Sequence, residues 1–157
     1  VEYHPEYKQE VISPETAHLM VDMMRGVIRG GDGYNGTGVR LRNVYGVRQD
    51  IAGKTGTTQN SADNWFIAMT PHLVMGSWVG GEDRRIRFPT DRAYSIGQGA
   101  RTALPIVGTF INFVTEDSLA YWSYDAFSPP AGFIMPEDPN ENRSEMAGDN
   151  NKGTIGW

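Results

Sequence analysis

Five consecutive residues, Lys54-Thr55-Gly56-Thr57-Thr58, bring an ammonium, three hydroxyls and a bare backbone position together within one short run. Gly56 has no side chain at a point where another backbone would have to come close. On the edge of a sheet, the free donors and acceptors of such a run would let an extended peptide lie alongside as an added strand. A Lys–Thr–Gly triplet alone is a weak signal, so its surroundings decide its meaning. Two other strings compete and fail. Gly31-Asp32-Gly33-Tyr34-Asn35-Gly36 spells G-x-G-x-x-G, but it follows a helical pattern, so no strand leads a pyrophosphate to a helix N-terminus. Gly53-Lys54-Thr55 ends like a phosphate-binding loop, yet that motif's first glycine would fall on Arg48. His4, His18 and His72 have no metal-ligand spacing, and neither a metal nor a cofactor is expected.

The chain is of single-domain size, with 157 residues, 39% hydrophobic and 21% charged, which fits a globular class. A net charge of −5 argues against nucleic acid as a partner, because phosphate binding needs a basic face. The absence of cysteine excludes a disulfide framework. No apolar run approaches the roughly 18 residues of a membrane span, and no export signal opens the chain, so any anchor is expected upstream.

The elements that must position the lysine–threonine run follow from local pattern. Ser13-Pro14-Glu15 reads as a helix start, and Leu19, Met20, Met23, Met24, Val27 and Ile28 form an apolar stripe expected to pack in the core. Gly30-Gly31 closes that helix. A short helical turn is expected over 39–45, then strands over 47–58, 64–70 and 72–80 joined by short turns, hence antiparallel. Apolar residues on both strand faces predict helices on both sides of the sheet, with Trp65 packing beneath it. A charged connection over 82–91 leads to a last helix carrying Leu104, Val107, Ile111 and Val114. Residues 1–117 are expected to form the folded portion, and 118–157 an extended, partly mobile tail or linker.

Around the lysine–threonine run the chain resembles class A penicillin-binding proteins. The resemblance rests on Gly36-Thr37-Gly38, Ala52-Gly53-Lys54-Thr55-Gly56-Thr57-Thr58, Asp63-Asn64-Trp65-Phe66, Thr70-Pro71, Trp78-Val79-Gly80 and Gly99-Ala100-Arg101-Thr102-Ala103-Leu104-Pro105. With Ile12-Ser13-Pro14-Glu15 upstream and Phe127-Ser128-Pro129-Pro130 downstream, it spans about residues 12 to 133. It implies an α+β fold: an antiparallel sheet flanked by helices, part of a penicillin-binding, β-lactamase-like transpeptidase domain. It also implies a serine-type D,D-transpeptidase that crosslinks peptidoglycan stem peptides and is acylated by β-lactams. The catalytic residues carried over are Lys54 and Thr57, and the substrate-binding ones Thr55, Gly56, Thr57 and Thr58. In that family the Thr57 N–H would be an oxyanion donor, the Thr55 and Thr57 hydroxyls would bind a carboxylate, and Lys54 would supply charge. The full protein would face the outside of the bacterial cytoplasmic membrane, with a glycosyltransferase domain upstream.

The family also needs S-x-x-K and S-x-N motifs, and neither occurs. The only lysines are Lys8, Lys54 and Lys152, and no serine precedes any of them by three places. Without a nucleophile and its base no acyl-enzyme can form, so the chain alone is expected to be inert. Its partner is then the N-terminal part of the transpeptidase domain, on the same or a separate chain. The competing reading is a non-catalytic module of the same fold that recognises peptide or β-lactam.

Overall fold

The computed structural model describes residues 9–30, 35–90, 96–117 and 120–136. The glycine-rich string over 31–36 lies mostly outside them, as do His4 and the tail from 137. Helix α1 (Pro14–Arg29) begins where Ser13 Oγ accepts the Thr16 N–H at 3.3 Å. It ends at Gly30, whose φ of 71° suits a residue without a Cβ. One turn, α2 (Arg40–Asn43), buries Leu41. Three antiparallel strands follow, β1 (Ala52–Thr57), β2 (Asp63–Met69) and β3 (Val74–Gly80), in the order β1-β2-β3. Helix α3 (Ala103–Glu116) closes the series, with Pro105 in its first turn, where no hydrogen bond is lost.

The first strand begins five residues later than the apolar pattern suggests. Val47 and Ile51 are buried, but in the loop ahead of the sheet rather than on the ladder. In register, Thr55 faces Phe66 and Phe66 faces Ser77, so these three point to one side. On that side Phe66, Ala68 and Met75 meet Ile28, Leu41, Ala103, Leu104 and Ile111 in one core. Burying Phe66 completely contributes about 2–3 kcal/mol. The buried Ser77 hydroxyl donates to Ala103 O at 2.8 Å and so ties β3 to the start of α3.

The other side of the sheet is bare among the described residues, which corrects the expectation of helices on both faces. Trp65 is 45% and Trp78 46% exposed, and the two stand opposite each other with Ile67 and Val74 beside them. Trp65 therefore does not pack beneath the sheet. All the described helices gather on the Phe66 side, so apolar alternation on the far side marks a face with nothing on it here. The methionine stripe of α1 departs in the same way. Only Ile28 is fully buried, while Met20 and Met23 are 47% and 62% exposed, because α1 meets the core through Val27 and Ile28 in its last turn.

One carboxylate fastens α1, the approach to β1 and the chain beyond α3. Asp50 Oδ1 accepts from Arg25 Nε and Arg29 Nη2, both at 2.8 Å, and Oδ2 accepts the Phe127 N–H at 3.1 Å. Residues 120–136 run without helix or strand but touch elsewhere too: Phe133 sets its ring edge-on to His18 at 5.0 Å, and His72 Nε2 lies 2.7 Å from Asp125 Oδ2. Burial would raise the Asp50 carboxyl, but the Arg25 and Phe127 hydrogen bonds and the charges of Arg25 and Arg29 outweigh it and hold it below the usual carboxylate range. A depressed folded value means stability that is present above the ordinary aspartate range near pH 4 and lost as pH falls through the lowered value. Asp50→Asn should cost about 1.5–3 kcal/mol at neutral pH and flatten this part of the acid limb, as read from urea unfolding at a series of pH values.

Candidate active site

Residues 54–57 of the lysine–threonine run lie on β1, and β1 is an edge strand, paired only with β2 among the described residues. Which of its backbone groups remain free follows from the ladder. The Thr58 N–H donates to Asp63 O at 3.1 Å, and Thr58 stands opposite Asp63 in the continued register. Antiparallel pairs alternate, so Thr57 and Thr55 turn their N–H and C=O to the open edge, while Gly56 and Lys54 bond to β2.

The side chains divide between two faces. Thr55 and Thr57 point to the helix side, where loops hold both hydroxyls. Thr55 Oγ1 donates to Thr37 Oγ1 at 3.0 Å, and the Gly99 N–H donates to Thr57 Oγ1 at 3.2 Å, which leaves the Thr57 proton unspent. Lys54 emerges on the opposite face and is exposed. Its ammonium folds back to donate to Thr55 O at 2.8 Å and meets no carboxylate among the described residues. Thr58 behaves differently from the other two threonines. Its hydroxyl donates to Asp63 O and accepts the Asp63 N–H, so it closes the β1–β2 turn. Gly56 has a structural reason besides access, since a Cβ there would stand 3.0 Å from Trp65 Cβ.

Several participants act on residues far from them in sequence. Thr37 reaches Thr55 across 18 residues, and Gly99 reaches Thr57 across 42. At Gly99 a Cβ would lie 2.5 Å from Trp65 O and 2.7 Å from Gly56 O, so only glycine lets this loop rest on the strands. Asn64, opposite Thr57, is fully buried, and neither of its amide atoms has a partner. Its one sequence clue is a polar residue at an inward position of an otherwise apolar alternation.

No cluster of His, Asp and Glu among the described residues could hold a metal ion. The assembled parts are an open strand edge, a free backbone N–H at Thr57, two loop-tethered hydroxyls and an ammonium with donors to spare. Such a set can bind an extended peptide with an anionic end and steady negative charge developing on a carbonyl oxygen. The profile of the penicillin binding protein transpeptidase domain matches residues 2–80, from ahead of α1 to the end of β3. The chain belongs to this transpeptidase family.

Known members of the transpeptidase family align beyond β3 as well. Penicillin-binding protein 1A of Aquifex aeolicus is 31% identical over 140 residues, which is 87% of this chain and 16% of that protein. Penicillin-binding protein 1A of Vibrio cholerae is 35% identical over 125 residues, covering 71% of this chain and 15% of that protein. The crystal structure of penicillin-binding protein 1A from Haemophilus influenzae superposes with a TM-score of 0.61 at 30% identity, over 80% of this chain and 18% of that one. The antiparallel sheet with its helices is thus a transpeptidase-type fold, and the chain spans only about a sixth of the length of these relatives.

Proposed function

We propose that this chain is the C-terminal part of a peptidoglycan D,D-transpeptidase domain within a bifunctional, class A cell-wall synthase. The carrying observation is the open edge of β1, with the Thr57 N–H turned outward between the Thr55 and Thr57 hydroxyls and the Lys54 ammonium. A stem peptide, or a β-lactam in its place, lies along this edge as an added antiparallel strand. Its terminal carboxylate accepts from the Thr57 hydroxyl and from that of Thr55, whose present bond to Thr37 reverses so that Thr37 becomes the donor. The Thr57 N–H donates to the oxyanion that develops when a serine attacks the carbonyl. That donor is worth about 3–4 kcal/mol in the transition state. The serine, its lysine base and the S-x-N motif come from residues this chain does not contain, and the assembled domain works on the outer side of the bacterial cytoplasmic membrane.

Fluorescent penicillin tests the proposal. A polypeptide that joins this chain to an upstream S-x-x-K segment should label covalently, whereas the chain alone should not. In the joined protein, Lys54→Ala should slow labelling about 10- to 100-fold through loss of charge-assisted bonds to the carboxylate. Labelling of the chain alone would overturn the claim that its nucleophile lies elsewhere. No labelling of the joined protein would favour a non-catalytic recognition module.

A further inference from the structure

Beyond the C-terminal end of β1 the open edge runs into a cleft walled by Thr57, Thr58, Gln59, Asn60, Arg84 and Arg87. The loop after β3 supplies its charge. Of the three arginines there, Arg85 is taken up by Asp83, whose carboxylate accepts from its Nε at 2.8 Å. Arg84 is 80% exposed, and the acid it faces, Asp63 Oδ2, is 4.0 Å away. Among the described residues, exposed Arg87 forms no ion pair, and Glu82 pairs with neither arginine. Two guanidiniums thus face one cleft with spare donors.

The wall opposite the arginines is held in an unusual backbone conformation. Asn60 and Ser61 have φ of 62° and 53°, two successive non-glycine residues in the left-handed region. Such backbone strain gathers where a ligand must be met. The arginine loop is fastened to this turn, because the Phe88 N–H donates to Ser61 O at 3.0 Å. Charge and wall therefore keep a fixed relation.

The orientation of the peptide says what reaches the cleft. A strand added antiparallel to β1, with its terminal carboxylate at the Thr55 and Thr57 hydroxyls, extends its N-terminal residues past Thr57 towards Asn60. We propose that the cleft is an anion subsite that takes a carboxylate carried by the acyl-donor peptide on a residue N-terminal to the reacting carbonyl. Arg84 and Arg87 donate to that carboxylate, and the site selects acidic over amidated donor peptides. The inference rests on the transpeptidase reading above.

Two synthetic donor peptides with the same C-terminal residues test it, one bearing a free upstream side-chain carboxylate and the other its amide. They are compared as acyl donors for the complete transpeptidase. The native enzyme should prefer the acid in kcat/KM, and the preference should weaken as salt screens the pair. Arg84→Gln with Arg87→Gln should reduce the preference about tenfold, chiefly through KM, whereas exposed Arg48→Gln, which removes a positive charge elsewhere, should keep it. Penicillin labelling of each variant, at whatever rate, reports that the domain is folded. Equal use of both peptides by the native enzyme overturns the subsite, as does an unchanged preference in the double variant. If the native enzyme takes neither penicillin nor either peptide, the transpeptidase reading falls, and the subsite with it.

Discussion

Gly99→Ala in the complete transpeptidase should lower the second-order rate of penicillin acylation by about 100-fold or more. The added methyl would sit 2.5 Å from Trp65 O and 2.7 Å from Gly56 O, and both neighbours are backbone that cannot swing aside. Either the loop lifts away, and the Gly99 N–H leaves Thr57 Oγ1, or β1 shifts against β2. Both movements displace the Thr57 N–H from the place where an oxyanion would form, and a misplaced donor forfeits most of a 10²- to 10³-fold contribution. Gly76→Ala is the matched control. A Cβ at Gly76, on the bare face of β3, meets nothing within 4 Å, so acylation should stay within about twofold of the parent. If Gly99→Ala acylates like Gly76→Ala, the Gly99 loop does not position the strand.

The second large effect is on stability. Phe66→Ala should cost about 3–5 kcal/mol, seen as a lower urea midpoint with little change in slope. Phe66 is fully buried, stands opposite Thr55 and touches the space above Gly53, into which Ile28 also points. Removing the ring leaves a cavity bounded by β1 and α1 at once, which rigid strands cannot close. Since domains hold only about 5–15 kcal/mol in all, the variant should sit near its unfolding limit. A loss below about 1 kcal/mol would mean that the core closes up around the gap. Trp65→Ala, on the bare face, should by contrast cost far less, although its side chain is larger.

Much of this architecture is legible in the sequence because its signals are local. Ser13, Pro14 and Gly30 mark the ends of α1 through hydrogen bonds and dihedral angles that involve only near neighbours. The alternation over 63–80, broken by Thr70-Pro71, fixes two strands and their antiparallel sense. The lysine–threonine run reads as a strand for the same reason. What was not legible depends on partners distant in sequence. Hydrophobic alternation says that a face can be buried but not that anything covers it, so the pattern assigns Trp65 to an interior that this chain does not supply. The methionines of α1 fail likewise: helical spacing gives a stripe but does not reveal that only the last turn touches the sheet. At the site, Thr58 shares its residue type with Thr55 and Thr57, yet two hydrogen bonds of its hydroxyl with Asp63 close a turn and withdraw it from the edge. Arg84 and Arg87 looked like an ordinary charged connection because their meaning comes from a turn more than twenty residues earlier.

The joint at Asp50 also governs the order in which the molecule can be completed. Two of its donors, Arg25 and Arg29, precede the strand, but the third, Phe127 N–H, lies 77 residues later. During synthesis the arginines can engage Asp50 as soon as β1 has emerged, whereas Oδ2 waits until α3 and the stretch beyond it are out of the ribosome. Closing so long a loop is slow and gains little until α3 has docked on β2 and β3. Folding of the strand that carries the site thus ends with a stitch from almost the last described part of the chain. A nascent chain stopped short of Phe127 would hold β1 by its arginines alone.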